Sequence, residues 1–234
     1  MPGCFKKTLF ALASVVSFVS FILIVVAMGT PKWMTGKILC KTGADLVNAT
    51  DPELVKFIGE IYYGLFQGGK IRQCGLGGRH DFFFLPVFPH MVKKLNTGLH
   101  MMIIMFLCVA IFFSLVSFGF CILNAVEVPY RAIKGPAGVC LWNFLAGGIM
   151  VLAVTSFMAA VKLHHLTERI ANFRENVFQF VILEEQFEDC FWLCVASATA
   201  HAVNLLLIAI SGIHCPKIKT KTEEANVTAE DIMY

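Results

Sequence analysis

Four stretches of the chain contain no Asp, Glu, Lys or Arg: Thr8–Gly29, Leu99–Leu123, Val139–Val161 and Phe191–Ile213. Each exceeds the ~20 residues a helix needs to cross a ~30 Å hydrocarbon core. A helix satisfies its backbone N–H and C=O groups within its own segment, as lipid demands. The whole chain agrees: 57% of its 234 residues are hydrophobic and 15% charged, against about 25% charged in a soluble domain. The sequence predicts an all-α membrane protein, a bundle of four membrane-crossing helices with lipid around it. The first run follows Lys6 and Lys7 and ends near Ala27 and Gly29, as a secretory signal would. It is longer than the ~7–15 apolar residues of a signal core, so it reads as a retained span.

Charge between the spans sets the orientation. Residues 1–7 carry Lys6 and Lys7, residues 124–138 carry Arg131 and Lys134, and residues 214–234 carry Lys217, Lys219 and Lys221. Residues 162–190 hold three basic residues against six acidic ones. Short basic segments face the cytosol, and long loops are exempt. Both termini and the 124–138 loop are therefore expected in the cytosol, with loops 30–98 and 162–190 outside. Trp33, Trp142 and Trp192 lie near span ends, where interfacial aromatics gather. Of two glycosylation sequons, this topology makes Asn48 a lumenal acceptor and leaves Asn226 inert on the cytosolic side.

The outer loops are long enough to fold. Asp51-Pro52-Glu53 is a helix start with proline in the first turn. Leu54, Phe57, Ile58 and Ile61 follow at helical spacing, which predicts a helix from about Pro52 to Tyr62. Lys37–Lys41 and Lys70–Cys74 read as short strands beside glycines. The run FFFLPVFP, residues 82–89, is too apolar for a solvated loop; it either packs on the loop core, the favoured reading, or dips into the membrane surface. Leu163, Leu166, Ile170, Phe173, Val177 and Phe180 recur with spacings of three and four, one stripe of a helix. This predicts a third helix projecting beyond the membrane, its stripe covering the first outer loop rather than, as the alternative, pairing with a partner as a coiled coil. The stretch Phe180–Leu183 is a candidate strand that would join the first loop's sheet.

Each local motif has a chemical and a plain reading. GLFQGGKI, residues 64–71, approaches a nucleotide-binding loop, but Ile71 stands where a Mg²⁺-binding Ser or Thr is needed. Its glycines read better as turn residues. His164, His165 and Glu168 share one turn, but adjacent histidines do not share a face, so a solvated surface is the reading. No catalytic order of residues, metal, cofactor or small-molecule substrate is implied, and a net charge of +3 does not suggest nucleic acid. Among the cysteines, Cys40, Cys74 and Cys190 fall in or at the outer loops, where an oxidising lumen favours a disulfide. A Cys40–Cys74 bridge would staple the two expected strands; Cys190 abuts the fourth span. Cys4 and Cys215 flank spans on the cytosolic side and are candidates for palmitoylation. In the fourth span His201 and Asn204 sit one turn apart among Ala196, Ser197, Ala198, Ala200 and Ala202. Such groups are either functional or hydrogen-bonded packing, and packing is the reading here. The last residues, Ile232, Met233 and Tyr234, fit the terminal motif that PDZ domains capture by strand addition.

Longer stretches are similar to a known family. MPGCFKK, GKILCKTGADLVNATDPELVKFIGEIYYGLF, VPYRAIKGPAGVCLWN, HHLTERIANF and KTEEANVTAEDIMY resemble the clarins over nearly the whole chain. Clarins belong to the broad claudin-like four-helix group. That group's signature is a Trp, a Gly-Leu-Trp and a cysteine pair in the first outer loop. Trp33, Gly64-Leu65-Phe66 and Cys74 map onto it. Phe66 replaces the second Trp, and Gly69 stands where the partner of Cys74 is expected. This leaves Cys40 as the candidate partner, or Cys74 free. The resemblance implies a claudin-like bundle with a small extracellular sheet and helix subdomain from both outer loops. It further implies a non-enzymatic organiser at the stereocilia plasma membrane of inner-ear hair cells, required for bundle maintenance, mechanoelectrical transduction and hearing. The partners implied are a hair-bundle membrane complex, transduction-channel components among them, and a PDZ or actin-linked scaffold. An auxiliary channel or receptor subunit and a claudin-like adhesion protein are the alternative readings.

Overall fold

A computed structural model describes residues 2–75, 77–84, 97–126, 135–173 and 175–213. Four long helices carry the apolar runs: α1 (Pro2–Gly29), α4 (Thr97–Val126), α5 (Pro136–Lys162) and α7 (Asp189–Ile213). All four are long and apolar enough to cross a membrane. Their local starts are ordinary. Pro136 opens α5 in its first turn, where a missing N–H costs nothing. Asp189 opens α7, an acid beside the positive end of the helix dipole. The helices form a ring in which α1 and α5 each neighbour both α4 and α7.

At one end of the ring sits a five-stranded antiparallel sheet: β1 (Met34–Cys40), β2 (Ile58–Tyr63), β3 (Gln67–Gln73), β4 (Gly78–Phe84) and β5 (Phe180–Phe187). The strand order is β4-β3-β2-β1-β5. Four strands come from the first long loop. The fifth comes from the second loop and pairs with β1 from Met34↔Phe187 to Cys40↔Phe180. The expected strand at Phe180 thus joins the first loop's sheet, and it runs four residues further. Between β1 and β2 lie α2 (Lys41–Leu46), α3 (Asp51–Leu54) and a 3-10 turn, Val55–Phe57.

Two sequence expectations fail here. The helix predicted over Pro52–Tyr62 stops at Phe57, and Ile58–Tyr63 is strand. Gly59, Ile61 and Tyr63 are buried while Glu60 is exposed. That alternation is the two-residue period of a strand, and it overlaps helical spacing over so short a run. The third helix does not project as predicted. It ends at Lys162, and His165 adopts the left-handed conformation, φ 47°. A separate short helix, α6 (Leu166–Ala171), then lies back over the sheet. Leu166, Ile170 and Phe180 of the stripe are buried, but Leu163 and Val177 are exposed. In the FFFLPVFP run, residues 82–84 complete β4; residues 85–89 lie outside the described residues.

The glycines of GLFQGGKI serve the sheet. In β3, Gly68 and Gly69 lie under rings from the neighbouring strands. A Cβ on Gly69 would meet the Tyr62 ring at 2.8 Å, and one on Gly68 the Phe83 ring at 2.7 Å. The next residue, Lys70, is a buried cation. Its Nζ donates to Glu175 Oε1 at 2.6 Å and to the Ala171 carbonyl at 3.0 Å. It also lies 5.3 Å from the Phe180 ring centroid. Arg72 joins Glu175 as well, and pairs with Asp81 on β4. This chain of ions pins the second loop to the first. Replacing Glu175 by Ala strands the Lys70 charge, because breaking a buried pair from one side costs about 3–5 kcal/mol. Chemical unfolding of the purified protein should show a loss of that order. Lys70→Met should be milder, because Glu175 keeps Arg72.

Candidate functional site

The centre of the bundle is polar. His201 on α7 is 1% exposed and Asn204, one turn on, is 0% exposed. His201 Nδ1 lies 2.9 Å from Asn143 Oδ1 on α5. Its Nε2 lies 2.9 Å from Ser20 Oγ on α1 and 2.8 Å from Ser114 Oγ on α4. A single side chain thus touches the three other helices. The amide oxygen can only accept, so Nδ1 carries the proton and Nε2 accepts from a serine hydroxyl. Ser20 has a second partner in Ser197 Oγ, at 2.6 Å.

Asn204 extends the network. Its Nδ2 donates to Ser17 Oγ at 2.8 Å, to Asn143 Oδ1 at 3.2 Å and to the Ala13 carbonyl at 3.2 Å. Turning the amide over would set its oxygen against two acceptors, so these partners fix its orientation. Ser17 continues to Ser117 of α4, 3.2 Å away, and Asn143 Nδ2 closes onto the Val139 carbonyl at 2.9 Å. Gly147 allows the close approach, since a Cβ there would meet His201 Cβ at 3.2 Å. The reading of His201 and Asn204 as hydrogen-bonded packing includes Ser197 but leaves out Ser17, Ser20, Ser114, Ser117 and Asn143. Their signal is in the spacing: Ser17 and Ser20, Ser114 and Ser117, and Ser197, His201 and Asn204 recur at three or four residues inside uncharged runs. That spacing places them on one helix face.

A second cluster fastens the sheet to the bundle. Trp33 is 0% exposed. Its indole N–H donates to the Ala27 carbonyl at 2.6 Å. Its backbone N–H donates to the Tyr63 carbonyl at 3.0 Å and its carbonyl accepts from Glu188 N–H at 3.1 Å. The ring meets Phe157 of α5 edge-on at 4.9 Å. Phe157 in turn contacts Phe187 and Phe191, which stack at 4.4 Å. Gly64 lets β2 turn against the end of α1, since a Cβ there would stand 2.6 Å from the Thr30 carbonyl. Leu65 is buried, and its carbonyl accepts from His100 Nε2 of α4 at 2.7 Å. Phe66 is 37% exposed. The signature residues Trp33, Gly64 and Leu65 therefore share one junction, and Phe66 lies at its rim.

Beside the junction, Tyr63 bonds to Thr167 Oγ1 at 2.9 Å, and Thr167 donates to Glu185 Oε2 at 3.0 Å. Burial pushes the Tyr63 phenol well above its ordinary value, so it remains the donor of this relay. At the other end of the sheet a disulfide joins Cys40 to Cys74, Cα–Cα 5.4 Å. Closing a loop of 34 residues stabilises by about 3–4 kcal/mol on a chain-entropy basis. Asn48 is exposed in a left-handed turn, φ 48°. Cys190 is a buried free thiol beside Thr30 Oγ1. The side chain of Cys4, and all of Cys215, Ile232, Met233 and Tyr234, lie outside the described residues. Among the described residues, no group of three or more His, Cys, Asp or Glu is placed to hold a metal ion.

A ring of four membrane-spanning helices, tied inside by polar side chains and carrying at one end a sheet from two loops, defines a multi-pass membrane protein. The family profile described as Clarin-2-like matches residues 5–208. The chain is 65% identical to Clarin-2 of Mus musculus and to Clarin-2 of Homo sapiens, each over the full length of both chains. It is 39% identical to Clarin-1 of Homo sapiens, again over both full lengths. The chain belongs to the clarin family.

The hub makes a graded prediction. An interhelical hydrogen bond in a membrane protein contributes ~0.6 kcal/mol on average. His201→Ala removes contacts to three helices and should cost about 2 kcal/mol, whereas Ser117→Ala should cost about 0.6 kcal/mol. Unfolding in mixed micelles measures both. Equal costs would contradict the hub.

Proposed function

We propose that this protein is a non-enzymatic membrane organiser of the sensory hair bundle. In this reading it sits in the stereocilia plasma membrane, supports bundle maintenance and mechanoelectrical transduction, and so serves hearing. The observation that carries the reading is the joining of two loops into one sheet fixed to the bundle through Trp33. Such a body presents a constant surface to neighbours on one side of the membrane. The polar groups of its hub pair mainly with one another across the four helices, which suits a scaffold better than a conduit. The hair-cell setting is what the resemblance to the clarins implies.

The sheet would face the outside and both termini the cytosol. The Cys40–Cys74 disulfide favours an oxidising compartment, and the basic short segments favour the cytosol. Residues 232–234 would then offer a terminal ligand to a PDZ or actin-linked scaffold, while the sheet meets a hair-bundle membrane complex. Proximity labelling in hair cells, from a tag on the tail and from a tag in the first loop, tests this. The expected result is hair-bundle membrane proteins on the loop side and actin-linked scaffolds on the tail side. Enrichment of one pore-forming protein from both tags would replace the organiser with an auxiliary channel subunit. Labelling of junction proteins on an apposed cell would replace it with adhesion.

A further inference from the structure

The end of β1 remote from the bundle runs into a small cap made by α2, the turn at Asn48, α3 and the 3-10 turn. The seven residues of β1 set this cap roughly 23 Å along the strand from the Trp33 junction. Its inner side is well held: Ala44 and Phe57 are buried, and Ala49 and Leu54 pack on the core. Its outer side is not. Leu46 is 76% exposed, Val47 60% and Val55 67%. Val177, at 73%, is brought to the rim because Gln179 N–H donates to Thr42 Oγ1 of α2 at 2.9 Å. Exposed aliphatic side chains on the four long helices meet lipid. These four, at the far end of the sheet, meet water. Four exposed aliphatic side chains carried by so small a cap and its rim are candidates for a covered surface.

The same cap holds Asn48, directly after Val47. Its side chain is exposed, its φ is 48°, and its N–H donates to the Asp45 carbonyl at 3.3 Å. Asn48-Ala49-Thr50 is a glycosylation sequon. We propose that the apolar cap is covered by the chain's own N-linked glycan, with the first N-acetylglucosamine lying over Leu46, Val47 and Val55. This rests on the outward placement of the sheet. In the transfer, Asn48 Nδ2 bonds to C1 of the sugar, the lipid-linked pyrophosphate leaves, and the nitrogen gives up a proton. One face of the pyranose ring then presents axial C–H groups, which suit aliphatic neighbours. A protein partner is the poorer occupant, because a bulky sugar at Asn48 stands in front of Val47. The glycan keeps the cap from self-association and holds α2 against the 3-10 turn.

The test uses the full chain made in cells that build only high-mannose glycans. One portion is left intact, one is trimmed by endoglycosidase H to a single N-acetylglucosamine, and one is stripped by peptide N-glycosidase F. Amide exchange is followed over Lys41–Phe57. The intact and single-sugar forms should match, and stripping should speed exchange about fivefold. In a Leu46→Ser, Val47→Ser, Val55→Ser variant, stripping should make no difference. Equal exchange in all forms, or a stripping effect that survives in that variant, overturns the inference alone. Absence of sugar from the Asn48 peptide, read by mass spectrometry, overturns the outward placement, and the inference with it.

Discussion

The arrangement of sheet on bundle centres on Trp33. The last turn of a helix leaves carbonyls without partners, and the Trp33 indole takes one of them, at Ala27. The same residue's backbone is shared between the end of β2 and the approach to α7. Its ring opens an aromatic cluster whose other members come from α5, β5 and α7. Aromatic pairs of this kind add about 0.5–1.5 kcal/mol each beyond burial. The end of α1 and both strand ends are therefore fixed together, and Gly64 is held to hydrogen by the 2.6 Å approach to Thr30.

The junction and the polar hub solve different problems. Lipid gives helices no hydrophobic reason to associate, so direction must come from packing and hydrogen bonds. His201 supplies direction by choosing one serine on α1, one on α4 and Asn143 on α5. Outside the membrane the opposite holds. Water rewards burial, and the sheet closes with a dense apolar face, one disulfide and the Lys70–Glu175 pair. The ion pair is a register device as much as a stabiliser: only one placement of the second loop brings Glu175 to both Lys70 and Arg72.

Much of this was legible in the sequence. Uncharged runs of this length predict the four helices because a single apolar segment in lipid satisfies its own backbone only as a helix. The strand at Phe180 was visible as an apolar stretch after a helical stripe. The helix expected through Tyr62 was misread because IGEIYY satisfies both periods, and pairing with β1 and β3 decides between them. The end of α5 was hidden because His165, rather than glycine or proline, takes the left-handed turn. At the candidate site, Trp33 and Gly64 were marked by family resemblance, but their shared junction required the three-dimensional path of α1. The hub was half legible. His201 and Asn204 stand out singly, whereas serines attract notice only when their spacing is counted across three spans. GLFQGGKI looked like a phosphate cradle, and its glycines instead make room for the Tyr62 and Phe83 rings.

The central claim is that sheet and bundle form one body through Trp33. Amide exchange on the full chain in lipid nanodiscs, comparing wild type with Trp33→Ala, tests it most directly. The account predicts faster exchange in β1, β2 and β5 together with the adjoining turns of α1 and α7, because all five lose a common anchor. Faster exchange confined to the few residues beside position 33, with the strand ends and helix turns unchanged, would contradict it.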